Sequence, residues 1–462
     1  MSFTRALRAI GAAAAAGAVL FAAAPTASAD QVRDDQWPLA AFAADKIWSV
    51  ATGKGVTVAV IDNGFKTDHA DLTGQFLKGK DFIDGDTSVE PDQGADNPGH
   101  GTGMSGIIAG HGHGEGNASG VKGLAPDAKI LPIRDNGISG KGYYGRAIRY
   151  AVDHGADVIN ISQGADAGDD SADVLAEQQA IEYALEHGVP VVAAAGNYGE
   201  EVAKSSLRHP AVEPGVVTVG AVDSSTEIWK NSGYGPEVML AAPGVKNIVA
   251  GIDSDGYSLG TGTSDSAAYT SAALALLKQK FPDLSAGQLV NRLVKTAGLP
   301  ASAKGTSLPD EHYGYGFIKP YSALTQDIPA GPKNGPLKID ELNSSIAKAK
   351  GQSESAPSSS SPSGAADESS ASSDSGGMST GLIIAIAAGA LIVLVIVVVL
   401  IARSRKNNGG GPPPPPNGGW SGGNQPYPPQ QQYPGSYPQQ APPGQGGGSY
   451  PPAPSQPPYG QQ

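Results

Sequence analysis

Short apolar runs rich in β-branched residues alternate with amphipathic stretches through the centre of this chain, and that alternation limits the fold more than any other feature. The runs at residues 56–61, 130–133, 158–161 and 189–194 are predominantly apolar, interrupted only by Thr57 and Asn160, which is the pattern of strands buried on both faces. Helical periodicity falls between them, at residues 144–154 and 173–187, and most runs are bounded by Gly, Asp or Pro. Such a sequence is expected to form an α/β fold, a mostly parallel sheet covered by helices on both faces. Open sheets of this class present their functional groups at the carboxyl ends of the strands. Chemistry is therefore to be sought just past each run.

The sheet-forming region is only part of the 462 residues. Residues 1–29 carry Arg5 and Arg8, an Ala-rich apolar stretch and the small-residue site Ala27-Ser28-Ala29, and read as a cleaved signal peptide. Residues 381–402 contain no charge and as a helix would span about 33 Å, against a hydrocarbon core of about 30 Å. Arg403, Arg405 and Lys406 follow at once, so the segment is expected to be a single-pass transmembrane helix with everything before it outside and residues 403–462 in the cytoplasm. Residues 328–380 are Ser-, Ala- and Gly-rich and are expected to be an extracellular flexible linker. The tail is rich in Pro, Gly, Gln and Tyr and reads as disordered chain, either docking Pro-binding or self-associating partners or having no specific partner.

That leaves residues 30–327 as the folded domain, long enough to bury a substantial core. It holds 22 Lys and Arg against 38 Asp and Glu, a net charge of −16, which argues against nucleic acid as a partner and mildly favours basic or neutral substrate segments. The absence of cysteine excludes a disulfide scaffold, a thiolate metal site and a Cys nucleophile.

Three stretches past the element ends carry reactive groups. The first run ends in Asp62-Asn63-Gly64, which alone is equally a turn. Gly99-His100-Gly101-Thr102-Gly103 opens an apolar stretch, and glycines beside a His at a helix start let other backbone come close. Gly260-Thr261-Gly262-Thr263-Ser264 leads into a helical run over residues 265–280. A serine there lies at the positive end of the helix dipole, which suits a nucleophile whose attack creates an oxyanion, although a lone serine reads equally as an N-cap. Together the three give Asp, His and Ser in the order 62, 100, 264, one of the known chain orders of the Ser-His-Asp triad. His111-Gly112-His113 lacks a fixed third ligand, so no metal site is assigned. His69, His154 and His187 read as structural.

Around these stretches, Gly123-Leu-Ala-Pro-Asp127, Val158-Ile-Asn-Ile-Ser162, Ala193-Ala-Ala-Gly-Asn197, Leu240-Ala-Ala-Pro-Gly244 and Tyr313-Gly-Tyr-Gly316 appear in the order of the subtilisin-like serine proteases, which residues 36–325 resemble. The resemblance implies a three-layer subtilisin-like fold and a serine endopeptidase working through an acyl-enzyme. It implies Ser264 as nucleophile, His100 as base and then acid, and Asp62 as the group that orients the imidazole. Asn197 would donate to the oxyanion, and Ser162, Gln163 and Gly164 would pair with substrate backbone as an added strand. No cofactor is required for this chemistry, and structural calcium is left open. The sequence departs from the family at Asp265 and Ala268, where Met and Pro are usual, and at Asn63 and Gln163. Asp265 is expected to add negative charge near the oxyanion and to raise the His100 pKa.

Only about 25 residues separate the signal cleavage site from the first strand, too few for an independent pro-domain. Asp35-Gln36-Trp37-Pro38-Leu39 and Ala44-Asp45-Lys46-Ile47-Trp48 read instead as an arm packed on the domain. A short arm and a C-terminal anchor resemble the mycosins, membrane-anchored subtilases of actinobacterial type VII secretion. That resemblance implies protein or peptide substrates emerging from a secretion apparatus and contacts with secretion-complex subunits. Two alternatives stay open, a non-catalytic brace for such a complex and a general surface or leader-peptide protease.

Overall fold

A computed structural model describes residues 29–354, apart from 93, 95–96, 139–140, 167–170, 199–206 and 255. The expected signal peptide, transmembrane helix and tail lie outside the described residues. Within them no helix is long and apolar enough to cross a membrane.

The apolar runs form strands β1 (Thr57–Asp62), β5 (Lys129–Arg134), β6 (Val158–Ile161) and β7 (Val191–Ala194). With β2 (Lys80–Asp81), β8 (Val217–Val222) and β9 (Val238–Pro243) they make one seven-stranded sheet, ordered β2-β5-β1-β6-β7-β8-β9 and parallel throughout. Consecutive residues of β6, β7, β8 and β9 are all buried, so both faces are covered and the fold has three layers. One set of helices comprises α4 (His100–Ala109) and α7 (Thr263–Lys280), which pack on each other and on the sheet. The other comprises α5 (Gly145–Asp153) and α6 (Ser171–Glu186). Two small hairpins lie outside the sheet, β3 (His111–His113) with β4 (Ser119–Lys122), and β10 (Val245–Ala250) with β11 (Tyr257–Thr261). Because β1, β6 and β7 are neighbours about 4.8 Å apart, their carboxyl ends bring Asp62, Ser162 and Asn197 into one row.

The N-terminal arm is three short helices, α1 (Ala29–Asp34), α2 (Trp37–Phe42) and α3 (Ala44–Trp48), and it packs on the domain. The buried Gln36 amide pairs both ways with the Lys122 backbone. The Trp37 and Trp48 indole N–H groups donate to Val245 O and Leu124 O, each at 3.0 Å, so each half-buried ring has its polar edge satisfied.

The start of the expected flexible linker needs correction. Residues beyond 327 form helix α10 (Ile339–Glu354), which packs on α6 with Leu342 and Ile346 in the main core. Apolar residues are few here, but Ile339, Leu342 and Ile346 share one helical face, which composition averaged over residues 328–380 conceals. The chain leading to α10, through α8 (Ala286–Thr296) and α9 (Pro320–Thr325), is also fixed, the Arg292 guanidinium donating to the carbonyls of Ala323, Gln326 and Ile328. Leu342 is fully buried, so Leu342→Ala should destabilise the domain by about 2–5 kcal/mol, read from the urea midpoint. A loss below about 0.5 kcal/mol would mean that this helix is not part of the cooperative unit.

Candidate active site

Asp62 ends β1 with its carboxylate fully buried, and both of its oxygens lie 2.9 Å from His100 Nδ1. Helix α4 can start this close to the strand end because of Gly101, where a Cβ would stand 2.6 Å from Gly64 O and 3.0 Å from Asp62 Cβ. The carboxylate accepts two further donors on Oδ1, the Asn63 N–H at 2.8 Å and the Gln163 side-chain amide at 3.0 Å. Burial disfavours the charged imidazole of His100, but the Asp62 charge and hydrogen bond outweigh it. Asp265 adds to them, and the His100 pKa lies above its ordinary value.

Ser264 is the second residue of α7, with the free N–H groups of the first turn beside it. Its hydroxyl donates to Ser162 O at 2.9 Å, and the Ser162 hydroxyl donates back to Ser264 O at 2.9 Å. Asn160 continues this link, donating to Ser162 Oγ and accepting from Ser271 of α7. The end of β6 and the start of α7 are thus locked together by buried polar bonds. Asn197 Oδ1 accepts from both the backbone and the hydroxyl of Thr263, at 2.9 and 3.0 Å, which fixes the amide with its N–H₂ end left to donate. Gly262 makes room for that end, since a Cβ there would lie 3.0 Å from Asn197 Nδ2. His100, Asn197, Ser264 and Asp265 line one cavity of about 490 Å³. A hydroxyl, an imidazole on a buried carboxylate and a fixed amide donor around one cleft are the parts needed for acyl transfer.

The structure therefore brings Asp62, His100, Asn197, Ser162 and Ser264 together. The Gln163 side chain is bonded to Asp62 and positions that carboxylate, separately from the backbone pairing with substrate expected of residues 162–164. Gly164 lies against Arg208, and the next residue, Ala165, pairs antiparallel with His209. Five further histidines make hydrogen bonds of their own. His69 accepts from the Asp71 N–H, His113 pairs with Asp71 and His111 meets Thr73 O, while His154 and His187 meet the carbonyls of Tyr150 and Tyr183. Two groups escaped sequence reasoning. Thr263 orients Asn197, and its place inside the Gly-Thr-Ser stretch was the available signal. Asn247, on β10, donates to Asp265 Oδ2 at 2.8 Å, and no local pattern marks it.

Among the described residues, the group with metal-ligand spacing is Glu177, His209 and Glu213, all buried. His209 Nδ1 lies 2.8 Å from Glu177 and 3.0 Å from Glu213. Burial opposes its charge, but the two carboxylates push the His209 pKa up to about 9. An imidazolium between two carboxylates accounts for the cluster without a metal.

Residues 53–316 match the Subtilase family of peptidases. The chain belongs to that family. It is 35% identical to Subtilisin DY from Bacillus licheniformis over 280 residues, 60% of this chain and 93% of that protein. It is 32% identical to Mycosin-1 from Mycolicibacterium smegmatis over 342 residues, 63% of this chain and 73% of that one. Among solved structures, MycP1 from Mycobacterium smegmatis superimposes with a TM-score of 0.54 at 29% identity, covering 68% of this chain and 90% of MycP1. As a subtilase, this protein is a serine endopeptidase, and the family needs no cofactor for catalysis.

Proposed function

We propose that this subtilase is a membrane-anchored extracellular endopeptidase in which Ser264, His100 and Asp62 are the catalytic triad and Asn197 an oxyanion donor. The pairing of His100 Nδ1 with the buried Asp62 carboxylate carries the assignment, because it fixes the tautomer that leaves Nε2 free to take a proton. Substrate binding moves the Ser264 hydroxyl from Ser162 O to His100 Nε2, and catalytic hydrogen bonds commonly tighten only at this stage. Ser264 Oγ attacks the scissile carbonyl while His100 takes its proton. Asn197 Nδ2 and the Ser264 N–H receive the oxyanion, and His100 returns the proton to the leaving amine. Water, giving a proton to His100, then attacks the acyl-enzyme; the ester bond to Ser264 Oγ breaks, Oγ takes the proton back, and the amino-side product leaves residues 162–164 as a carboxylic acid.

The physiological setting we propose is processing of secreted proteins beside a type VII secretion apparatus. The likeness to Mycosin-1 and to MycP1, the latter described as an essential component of the ESX-1 system, supports it, and the uncharged segment at residues 381–402 supplies the anchor. A serine-directed fluorophosphonate should label the full chain and leave folded Ser264→Ala unlabelled. No labelling of the folded wild type would overturn the catalytic reading in favour of a bracing role.

A further inference from the structure

Under the reading above, on which this inference rests, residues 162–164 hold the substrate up to the scissile bond. The other side of Ser264 is the cavity of about 490 Å³, walled by the start of α4, by residues 97–99 and by the β10–β11 hairpin. That side receives the residues after the scissile bond. Among the described residues lining it are two acids, Asp265 and Asp253, and no Lys or Arg.

Asp265 follows the nucleophile directly and is only 3% exposed. Its carboxylate is wedged under the hairpin, where a Cβ on Gly260 would stand 2.6 Å from Oδ2. Asn247 donates to it from β10, while Asn247 Oδ1 is buried without a hydrogen-bond partner. The titratable groups around it are His100 from α4, Tyr269 on its own helix and Asp253 at the exposed rim of the hairpin. A carboxylate this deeply desolvated, with one amide donor and the imidazole facing it, gains from any cation that enters the cavity. We propose that Asp265 makes this protease select Lys or Arg as the residue immediately after the scissile bond, with Asp253 drawing the same cation at the cavity mouth. A Lys ammonium there would meet the carboxylate, while an acidic residue would face like charge.

The pH dependence follows. Burial raises Asp265 to about 6, with Asn247 and His100 opposing, so the carboxylate is charged above that pH and neutral below it. Selectivity for a cation is therefore present above about pH 6 and fades beneath it. A ratio of two peptides cancels the separate ionisation of His100.

The test uses the full chain and peptides identical except after the scissile bond, carrying Lys, Arg, norleucine or Glu. The kcat/KM ratio of Lys to norleucine should be roughly tenfold or more at pH 8, with Glu poorest. It should fall toward one below pH 6 in the wild type, and sit near one at every pH in Asp265→Asn. A wild-type ratio near one at pH 8, or a ratio unchanged by the substitution, overturns the proposal while leaving the triad intact. If the variant fails to fold, the wild-type pH dependence of the ratio decides. Absence of cleavage of all four peptides together with absence of fluorophosphonate labelling overturns both the triad and the selectivity.

Discussion

Ser264→Ala should lower peptide hydrolysis by about 10⁶-fold, the magnitude known for the nucleophile of subtilisin, with little change in stability. The two effects separate because the Ser264 hydroxyl makes one internal bond, to Ser162 O, worth about 1 kcal/mol. The neighbouring lock survives, since Ser162 Oγ donates to the backbone carbonyl of residue 264 and Asn160 and Ser271 hold the strand end to the helix. Residual turnover would come from Asn197, still fixed by Thr263, and from substrate positioning. Initial rates on a peptide substrate and a thermal melt of the same preparation check both halves. Activity above about one per cent of wild type would mean that another group is the nucleophile.

The groups that sequence reasoning reached are those whose chemistry is local. Asp62, His100 and Ser264 each stand at an element end within a short glycine-bearing stretch, and the strand–helix alternation places such ends on one edge of a parallel sheet. The groups it missed are joined only by topology. Gln163 reaches Asp62 across 101 residues of sequence because β6 lies beside β1, and nothing in Ser162-Gln163-Gly164 indicates that this amide turns toward Asp62. Asn247 finds Asp265 because the β10–β11 hairpin folds over the start of α7, and although Asp265 stands out beside Ser264, nothing around Asn247 marks it as the partner. Glu177, His209 and Glu213 come from α6 and from the loop before β8, and none of the three stretches alone suggests a buried ion cluster. Helix α10 was hidden for another reason, since a linker is judged by mean composition whereas a helix needs only three apolar residues at the right spacing.

Asp62→Asn should lower kcat/KM by about 10⁴-fold and shift its pH dependence in a defined direction. The Asp62 carboxylate accepts three donors, from His100 Nδ1, the Asn63 backbone and the Gln163 amide. An asparagine fills the same volume but has only one acceptor oxygen. The Asn63 and Gln163 donors compete for that oxygen, which turns the new N–H₂ group toward Nδ1. The imidazole must then accept there and carry its proton on Nε2, the atom that in the proposed mechanism receives the Ser264 proton. Loss of the negative charge also removes the main interaction that raises the His100 pKa, leaving burial to lower it, with Asp265 a weaker opposing charge. Because the base proposed here, His100, can take a proton only when neutral, the acidic limb of the wild-type profile should lie above the ordinary histidine value, and that of the variant should lie below the wild-type limb. Profiles of kcat/KM between pH 5 and 9 measure both quantities. A variant that loses less than tenfold, or whose acidic limb stays where the wild type has it, would show that Asp62 neither orients nor charges His100.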